Sequence, residues 1–567
     1  MNLSGTIDFR PKLISALRNY SMSRLKDDLI AGIVVGIVAL PLAIAFGIAS
    51  GVTPTVGLIT AIIGGFLVSA LGGNSVQIGG PTGAFIVIVY NIIAVYGLQG
   101  LAIATFMAGL ILVVMGLFHL GTVIKFIPYP IVVGFTAGIA LTIFSTQIND
   151  FFGLGLTDVP SEFLPKWGVY FQNFGNISLS TLAVGVVSLL IIVCTPFISK
   201  KLPGALIAII VMTVAVYFLQ MLFPGFDVET IGDRFTNMSS EIPAPHGFEL
   251  SMATINQLMP SAFTIAVLCA IESLLSATVA DGVTGSRTNS NTELIGQGVA
   301  NIVVPFFGGI PVTGAIARTM TNITNGGRTP VAGIVHTVVL MLIFLFLMPL
   351  INYVPMACLA AVLIVVAYNM SGWRTIIGIF KAPKSDISVL LVTFFLTVIF
   401  DLTIAIEIGL LLAVVLFLRR VMENTQIRVY GEQLDVAEGT EATTHEVLDV
   451  EKGVEVYEID GPFFFGVATK FDEMMRQSMA ERSLVRIIRM RKVPFIDSTG
   501  LHNLETLIKS SQNEGIHVVL SGVQDKVRET LYHANIDKLI GEDHICDHIT
   551  KAVAMANDIV RNVAENE

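Results

Sequence analysis

Two charged residues lie deep in apolar sequence, and both are placed to handle ions. Glu272 sits in Leu268-Cys-Ala-Ile-Glu-Ser-Leu-Leu-Ser276, and Arg318 closes Thr313-Gly-Ala-Ile-Ala-Arg318. A charge within a membrane segment is costly and marks a functional site by default. Ser276 falls one helical turn after Glu272, on the same face. Three roles fit Glu272: a proton site that couples transport to a gradient, a cation ligand shared with Ser276, or a structural partner for Arg318. Burial would raise its pKa and a nearby Arg318 would lower it. Two roles fit Arg318: a tie between helices, or the attraction of an anionic substrate, whose carboxylate or sulfate oxygens a guanidinium matches bidentately. This is the chemistry of binding and proton exchange, and no cofactor is implied beyond H+ or Na+ as a coupling ion.

The elements that must position these groups are unusual. Phe306 to Gly327 lies in a long apolar region but is crowded with helix breakers, including Gly308, Gly309 and Pro311. Lipid-exposed backbone must be hydrogen-bonded internally, so the chain is expected to enter the membrane extended and start a short helix near Thr313. Such a helix points free N–H groups and a partial positive charge into the protein interior. The device recurs between Leu71 and Ile86, where Gly79-Gly80-Pro81 precedes Thr82-Gly83-Ala84, the counterpart of Thr313-Gly314-Ala315. Phe85 and Ile316 follow at matched places, as walls of a site or as packing residues. Each copy is succeeded by a proline at a later helix start, Pro128 and Pro355. Interrupted segments at corresponding places in two halves point to a transporter's substrate site. In the first apolar segment Pro41 predicts a kink or break facing a cavity, and Pro41 and Ala43 complete the substrate-facing candidates.

The 567 residues are 53% hydrophobic and 13% charged, which places the chain among polytopic membrane proteins. Its net charge of −10 argues against a nucleic-acid partner. The four cysteines are too scattered for a disulfide framework or a metal site. About fourteen apolar segments run from residue 29 to 420, seven on either side of a polar loop at 224–255, giving repeats of about 29–223 and 256–420. Basic residues favour alternate loops in the sense that leaves residues 1–28 and the C-terminus cytoplasmic. An odd number of spans per half inverts one repeat relative to the other, so both half-helices aim at one midplane site. Asp281, Glu293, Asp401 and Glu407 lie at probable span ends and read as solvated or interfacial. Asn289, Asn291, Gln297 and Asn301 read as caps or helix pairing groups.

Beyond Arg420 the composition changes. Residues 421–452 read as a linker or edge strand. From 453 to 567, strands at Val454–Ile459, Leu484–Met490 and His517–Leu520 alternate with helical patterns at 467–480, 500–512, 524–533 and 547–563, a small α/β domain. Asp497-Ser498-Thr499-Gly500 marks a helix start, where Asp and Ser are ordinary N-caps. No phosphate loop or nucleophile–base pair is present there.

The motifs Val279-Ala-Asp-Gly-Val-Thr-Gly, Asn289-Ser-Asn-Thr-Glu-Leu-Ile-Gly-Gln-Gly, Phe307-Gly-Gly-Ile-Pro-Val-Thr-Gly-Ala-Ile-Ala-Arg, Gly79-Gly-Pro-Thr-Gly-Ala and Asp27-Asp-Leu-Ile-Ala-Gly closely resemble the sulfate permease family of anion transporters. The C-terminal region with Asp497-Ser-Thr-Gly resembles the STAS domain. The resemblance implies a seven-plus-seven inverted-repeat α-helical fold split into core and gate, with substrate between the third and tenth segments. It also implies a homodimer, a cytoplasmic STAS domain open to a protein partner, and residence in the bacterial inner membrane. Glu272 and Ser276 match the cation-binding positions of sodium-coupled bicarbonate members, which have an aspartate at the first and lack an arginine where Arg318 stands. Leu42 after Pro41 departs from the Pro-Gln pair of eukaryotic sulfate transporters. The wording is most similar to bacterial members that carry C4-dicarboxylates. Thr499 matches the phosphorylated position of stand-alone antagonist proteins, and a phosphate at a helix start is electrostatically reasonable; Ser498 and Thr499 are the regulatory candidates. The expectation is a proton-coupled symporter of sulfate or a C4-dicarboxylate, not an enzyme. The rivals are a sodium-coupled bicarbonate transporter, a passive anion channel or exchanger, and a nucleobase permease.

Overall fold

The computed structural model describes the chain except residues 1–8, 19, 123–127, 158, 161, 199–202, 224, 236–239, 250, 401, 431–432, 436–446, 468–482 and 567. It divides into two compact units, Met1–Ala413 and Val414–Glu567.

Each expected membrane segment corresponds to a helix. In chain order these are α1 (Met22–Ala49), α2 (Pro54–Leu71), α3 (Gly83–Leu117), α4 (Tyr129–Phe152), α5 (Leu179–Ile198), α6 (Gly204–Leu222), α7 (Met252–Thr284), α8 (Ser290–Val303), α9 (Ile316–Thr324), α10 (Pro330–Ile351), α11 (Met356–Met370), α12 (Lys384–Ile399) and α13 (Leu402–Asn424). Gly97 breaks α3 with a left-handed φ of 69°, so α3 supplies two of the fourteen segments. Nine helices among the described residues are long and apolar enough to cross a membrane alone. α9, with nine residues, is too short to cross alone.

Without a hydrophobic drive between helices in lipid, close packing rests on small residues. Where α3 crosses α8, Gly109 and Gly298 face each other, and a methyl on either would sit 2.7 Å from the other's carbonyl oxygen. The broken backbone is equally tightly held. Gly79–Gly80 (β1) pairs antiparallel with Thr313–Gly314 (β2), in the register Gly79↔Gly314 and Gly80↔Thr313. Pro128 and Pro355, the two later prolines, each cap the helix that follows them. Pro41 departs from expectation. It lies inside the continuous helix α1, buried, and Ala43 is buried with it. The helix runs on through it, and at Ala43 α1 packs against α2, where Gly57 closes on the Ala43 carbonyl.

The second unit is an α/β sandwich. Gln426–Tyr430 (β3) is antiparallel to Val454–Asp460 (β4), which continues in parallel to Val485–Lys492 (β5), His517–Ser521 (β6) and the short Ile545–Cys546 (β7). Part of the 421–452 stretch is thus an edge strand. Ser498–Asn513 (α14) and Asp525–His533 (α15) cover one face through Leu504, Ile508 and Val527. Ile549–Asn566 (α16) covers the other through Ile549, Ala552 and Val553. The helix expected at 467–480 lies almost wholly outside the described residues.

Candidate functional site

The site is built where the two interrupted segments meet. Because β1 and β2 have only two residues each, most of their backbone groups need partners from elsewhere, and in hydrocarbon each orphan costs roughly several kcal/mol. Buried side chains supply them. Asn301 of α8 straddles Val312, accepting from its N–H at 2.9 Å and donating to its carbonyl at 2.8 Å. Thr60 accepts from Ile310 N at 3.0 Å and sits at the start of a π-helical turn, Thr60–Gly64, inside α2. Thr319 of α9 accepts from Ile78 N, and Asn322 donates to the Val76 carbonyl at 2.8 Å. The Ala315 N–H is closed by the Ile78 carbonyl, and α9 begins at Ile316, three residues later than the sequence suggests.

Arg318 is 2% exposed. Its guanidinium donates to the Gly79 and Pro81 carbonyls, so it fastens the first interrupted segment to the second half-helix. Its charge remains within the field of Glu272. Glu272 itself is only half-buried. Its carboxyl neighbours the Thr82 side chain, whose hydroxyl is buried without a hydrogen bond. Along α7 the exposed face changes sides. Met259 and Phe263 are exposed in its first half, and Val279 and Val283 in its second. At 100° per residue these pairs lie on opposite faces, and Glu272 is on the second of them. Ser276 is buried and donates to Thr319 Oγ1 at 3.3 Å.

Thr82, Gly83, Ala84 and Phe85 are buried, with Phe85 in the main apolar core. Ile316, its counterpart, is exposed, so the matched pair stands in unlike surroundings. A methyl at Gly83 would meet Met370 Sδ, Ile143 Cδ1 and Phe46 Cε1 at 2.9, 3.2 and 3.6 Å. These three side chains, from α11, α4 and α1, form an apolar wall over the Thr82 turn. Thr313 donates to the Cys269 carbonyl at 3.0 Å, and Gly314 lies against the Gln77 amide.

Glu293 corrects the expectation of a solvated span end. It is fully buried and accepts four hydrogen bonds, from Gly73 N, Asn74 N, Gln77 Nε2 and Gln297 Nε2. It clamps the loop that leads into β1, a role invisible in sequence because the loop reaches it from more than two hundred residues away. Asp281 accepts from Ser286 and Thr288 in the following loop, Glu407 is exposed, and Asp401 lies outside the described residues. Asn289 caps α8, and Asn291 accepts from Gly121 N. In the second unit Asp497 caps α14 by accepting from Gly500 N at 2.7 Å, and Ser498 and Thr499 are exposed in the first turn.

Comparison with known proteins gives consistent matches. A family model described as the sulfate permease family matches residues 25–393, and one described as the STAS domain matches residues 447–552. The chain is 41% identical over 534 residues to the putative sulfate transporter YvdB of Bacillus subtilis, covering 94% of this chain and 98% of that one. It is 29% identical to the bicarbonate transporter BicA of a Picosynechococcus, over 86% of this chain and 87% of the relative. Its fold matches the murine Slc26a9 anion transporter in the inward-facing state with a TM-score of 0.85 at 16% identity, covering 98% and 96% of the two chains.

Proposed function

The chain belongs to the sulfate permease family, and on that premise we propose that it is a secondary active transporter of small anions, coupled to protons through Glu272. The observation that carries this reading is the crossing of the two interrupted segments. It gathers the Thr82 turn, the start of α9, a buried Arg318 and an accessible Glu272 in one place. The half-helix dipoles and the guanidinium make the place electropositive. Glu272 offers a protonatable group beside it. Arg318 acts on substrate through its field, since both of its terminal nitrogens are tied to the Gly79 and Pro81 carbonyls.

Two observations narrow the reading. The Ser276 side chain is buried, whereas Glu272 is accessible. That favours a proton on Glu272 over a sodium ion held jointly by both residues, the arrangement the bicarbonate relative would suggest. The wall of Phe46, Ile143 and Met370 offers no hydrogen-bond donors, which suits the methylene or vinyl carbons of a C4-dicarboxylate better than the four oxygens of sulfate. Both termini lie in the cytoplasm of a bacterial cell, the chain works as a homodimer, and Ser498 and Thr499 are accessible for modification.

Uptake by reconstituted vesicles tests this. Labelled sulfate, succinate, fumarate and bicarbonate are compared with and without an inward proton gradient, for native protein and Glu272→Gln. Accumulation of a dicarboxylate that needs the gradient and Glu272 is expected. Equilibration without accumulation, indifferent to Glu272, would mean a channel or uniporter. Accumulation driven by sodium alone would transfer the reading to sodium-coupled bicarbonate transport.

A further inference from the structure

A buried lysine faces a cavity near the candidate transport site. The surface helix Phe163–Asn173, between α4 and α5, is turned the wrong way for a solvated amphipathic helix. Its apolar Leu164 and Phe171 are 63% and 68% exposed, while Lys166 and Tyr170 are 4% and 1% exposed. Lys166 and Tyr170 are four residues apart and share a face. Both line a cavity of about 770 Å³. Among the described residues the Lys166 ammonium has no hydrogen bond and no salt bridge, and it stands in the first turn of its helix, where the dipole disfavours a cation. Of the described acids that border the cavity, Asp150 and Glu229 both hold Arg234, Asp233 caps the Thr230 turn, and Asp227 lies on the rim. An unpaired buried cation is strongly unfavourable, and the cavity gives it room for a counter-ion.

The cavity's walls continue into the transport site. Ala45 borders it, and the next residue, Phe46, packs on Gly83. Thr146 and Gln147 border it, and Ile143, one turn earlier, packs on Gly83. Leu363 borders it, and Met370, two turns on, packs on Gly83. The same three helices wall both spaces. We propose that Lys166, with Tyr170, binds a small oxyanion or carboxylate in this cavity, as an antechamber that loads the transported anion. The loading role rests on the transport reading above; the binding role does not.

Trp167 makes the binding directly visible. It adjoins Lys166, its indole donates to Ser145 Oγ at 3.0 Å, and the chain has only one other tryptophan, Trp373. In purified full-length protein with Trp373→Phe, emission is titrated with sodium succinate and sodium sulfate at constant ionic strength. A saturable change that Lys166→Met abolishes is the expected result. No change up to about 100 mM, well past a millimolar Kd, or the same change in Lys166→Met, overturns the site. Thermal stability guards against misfolding. Without added anion Lys166→Met melts no lower than native, since it removes an unpaired buried charge, and added anion raises the native midpoint only. A midpoint raised equally in both overturns the proposal. In vesicles the half-saturating concentration rises about tenfold in Lys166→Met, with the maximal rate kept; an unchanged value removes the loading role. If native protein moves none of the anions, the transport reading fails while the titration still decides the site.

Discussion

Replacing Glu293 should loosen the transport site without touching it. Its Oε2 accepts from Gly73 N at 2.7 Å and Asn74 N at 3.0 Å, and its Oε1 from Gln77 Nε2 at 2.9 Å and Gln297 Nε2 at 2.8 Å. In Glu293→Leu both backbone donors and both amide donors lose their acceptor inside the protein. A buried orphan donor costs about 1–3 kcal/mol, so the two backbone donors alone cost about 2–6 kcal/mol, a large share of typical stabilities of roughly 5–15 kcal/mol. Glu293→Gln is milder. Its oxygen can serve the two backbone donors, and Gln77, whose Oε1 is buried and unpartnered, can flip to accept from the new amide. The Gln297 donor is then newly stranded, at about 1–3 kcal/mol, and the flipped Gln77 amide exchanges an unpartnered oxygen for an unpartnered N–H. The expected order is native, then Glu293→Gln, then Glu293→Leu, in the thermal midpoint of detergent-solubilised protein and in uptake by vesicles. The same loop delivers Gly79 and Gly80 to β1, so uptake should fall with stability in step. A Glu293→Leu protein as stable and active as native would refute the clamp, and Glu293 would be an incidental buried acid.

Three further outcomes follow from the geometry. Gly80→Ala places a methyl 2.2 Å from Arg318 Nη1 at a φ of 149°, so uptake should drop about tenfold or more, whereas Gly168→Ala, with open space around it, should leave uptake unchanged. Burial pushes the Lys166 ammonium down to about 8, so the cation is present below that pH and anion affinity at the antechamber should fall about tenfold per pH unit above it. Around the cavity Asp150 and Glu229 are held by Arg234 and Asp233 by its own turn, Asp227 lies on the rim, and burial pushes the Tyr170 phenol up; a fluorescence titration at pH 6 to 10 that shows no such loss assigns the binding to another group. Asp497→Ala removes acceptors from Gly500 N and Phe465 N, which should cost about 0.5–2 kcal/mol and appear as faster amide exchange in the first turn of α14 within the full-length protein.

The sequence exposed the crossing of the two interrupted segments because its construction violates local rules. Gly-Gly, Pro and Thr-Gly-Ala in apolar sequence make sense only if the chain is extended at depth, and the β1–β2 pairing is that extended chain. Glu272 and Arg318 were equally legible, as charges where charges are costly. What stayed hidden depended on partners remote in sequence. Nothing near Glu293 shows that Gly73 and Asn74 will fold onto it, so a carboxylate at the end of an apolar run reads as solvated. Thr60 gives no local sign of the π-helical turn that aims it at Ile310. Pro41 carries the opposite lesson, a breaker inside an unbroken helix.

Lys166 is the sharpest of these cases, because its meaning lies in a contradiction that sequence cannot display. A lysine in a polar loop is ordinary. It becomes informative only when the fold turns Leu164 and Phe171 outward and the ammonium inward, toward a cavity where Asp150 and Glu229 are already held by Arg234. Glu293 and Lys166 thus mark two ways of burying a charge. The carboxylate is surrounded by donors fixed in the fold, which makes it structural. The ammonium has no fixed partner among the described residues and an open space beside it, and a charge left in that condition favours a mobile counter-ion over a structural role.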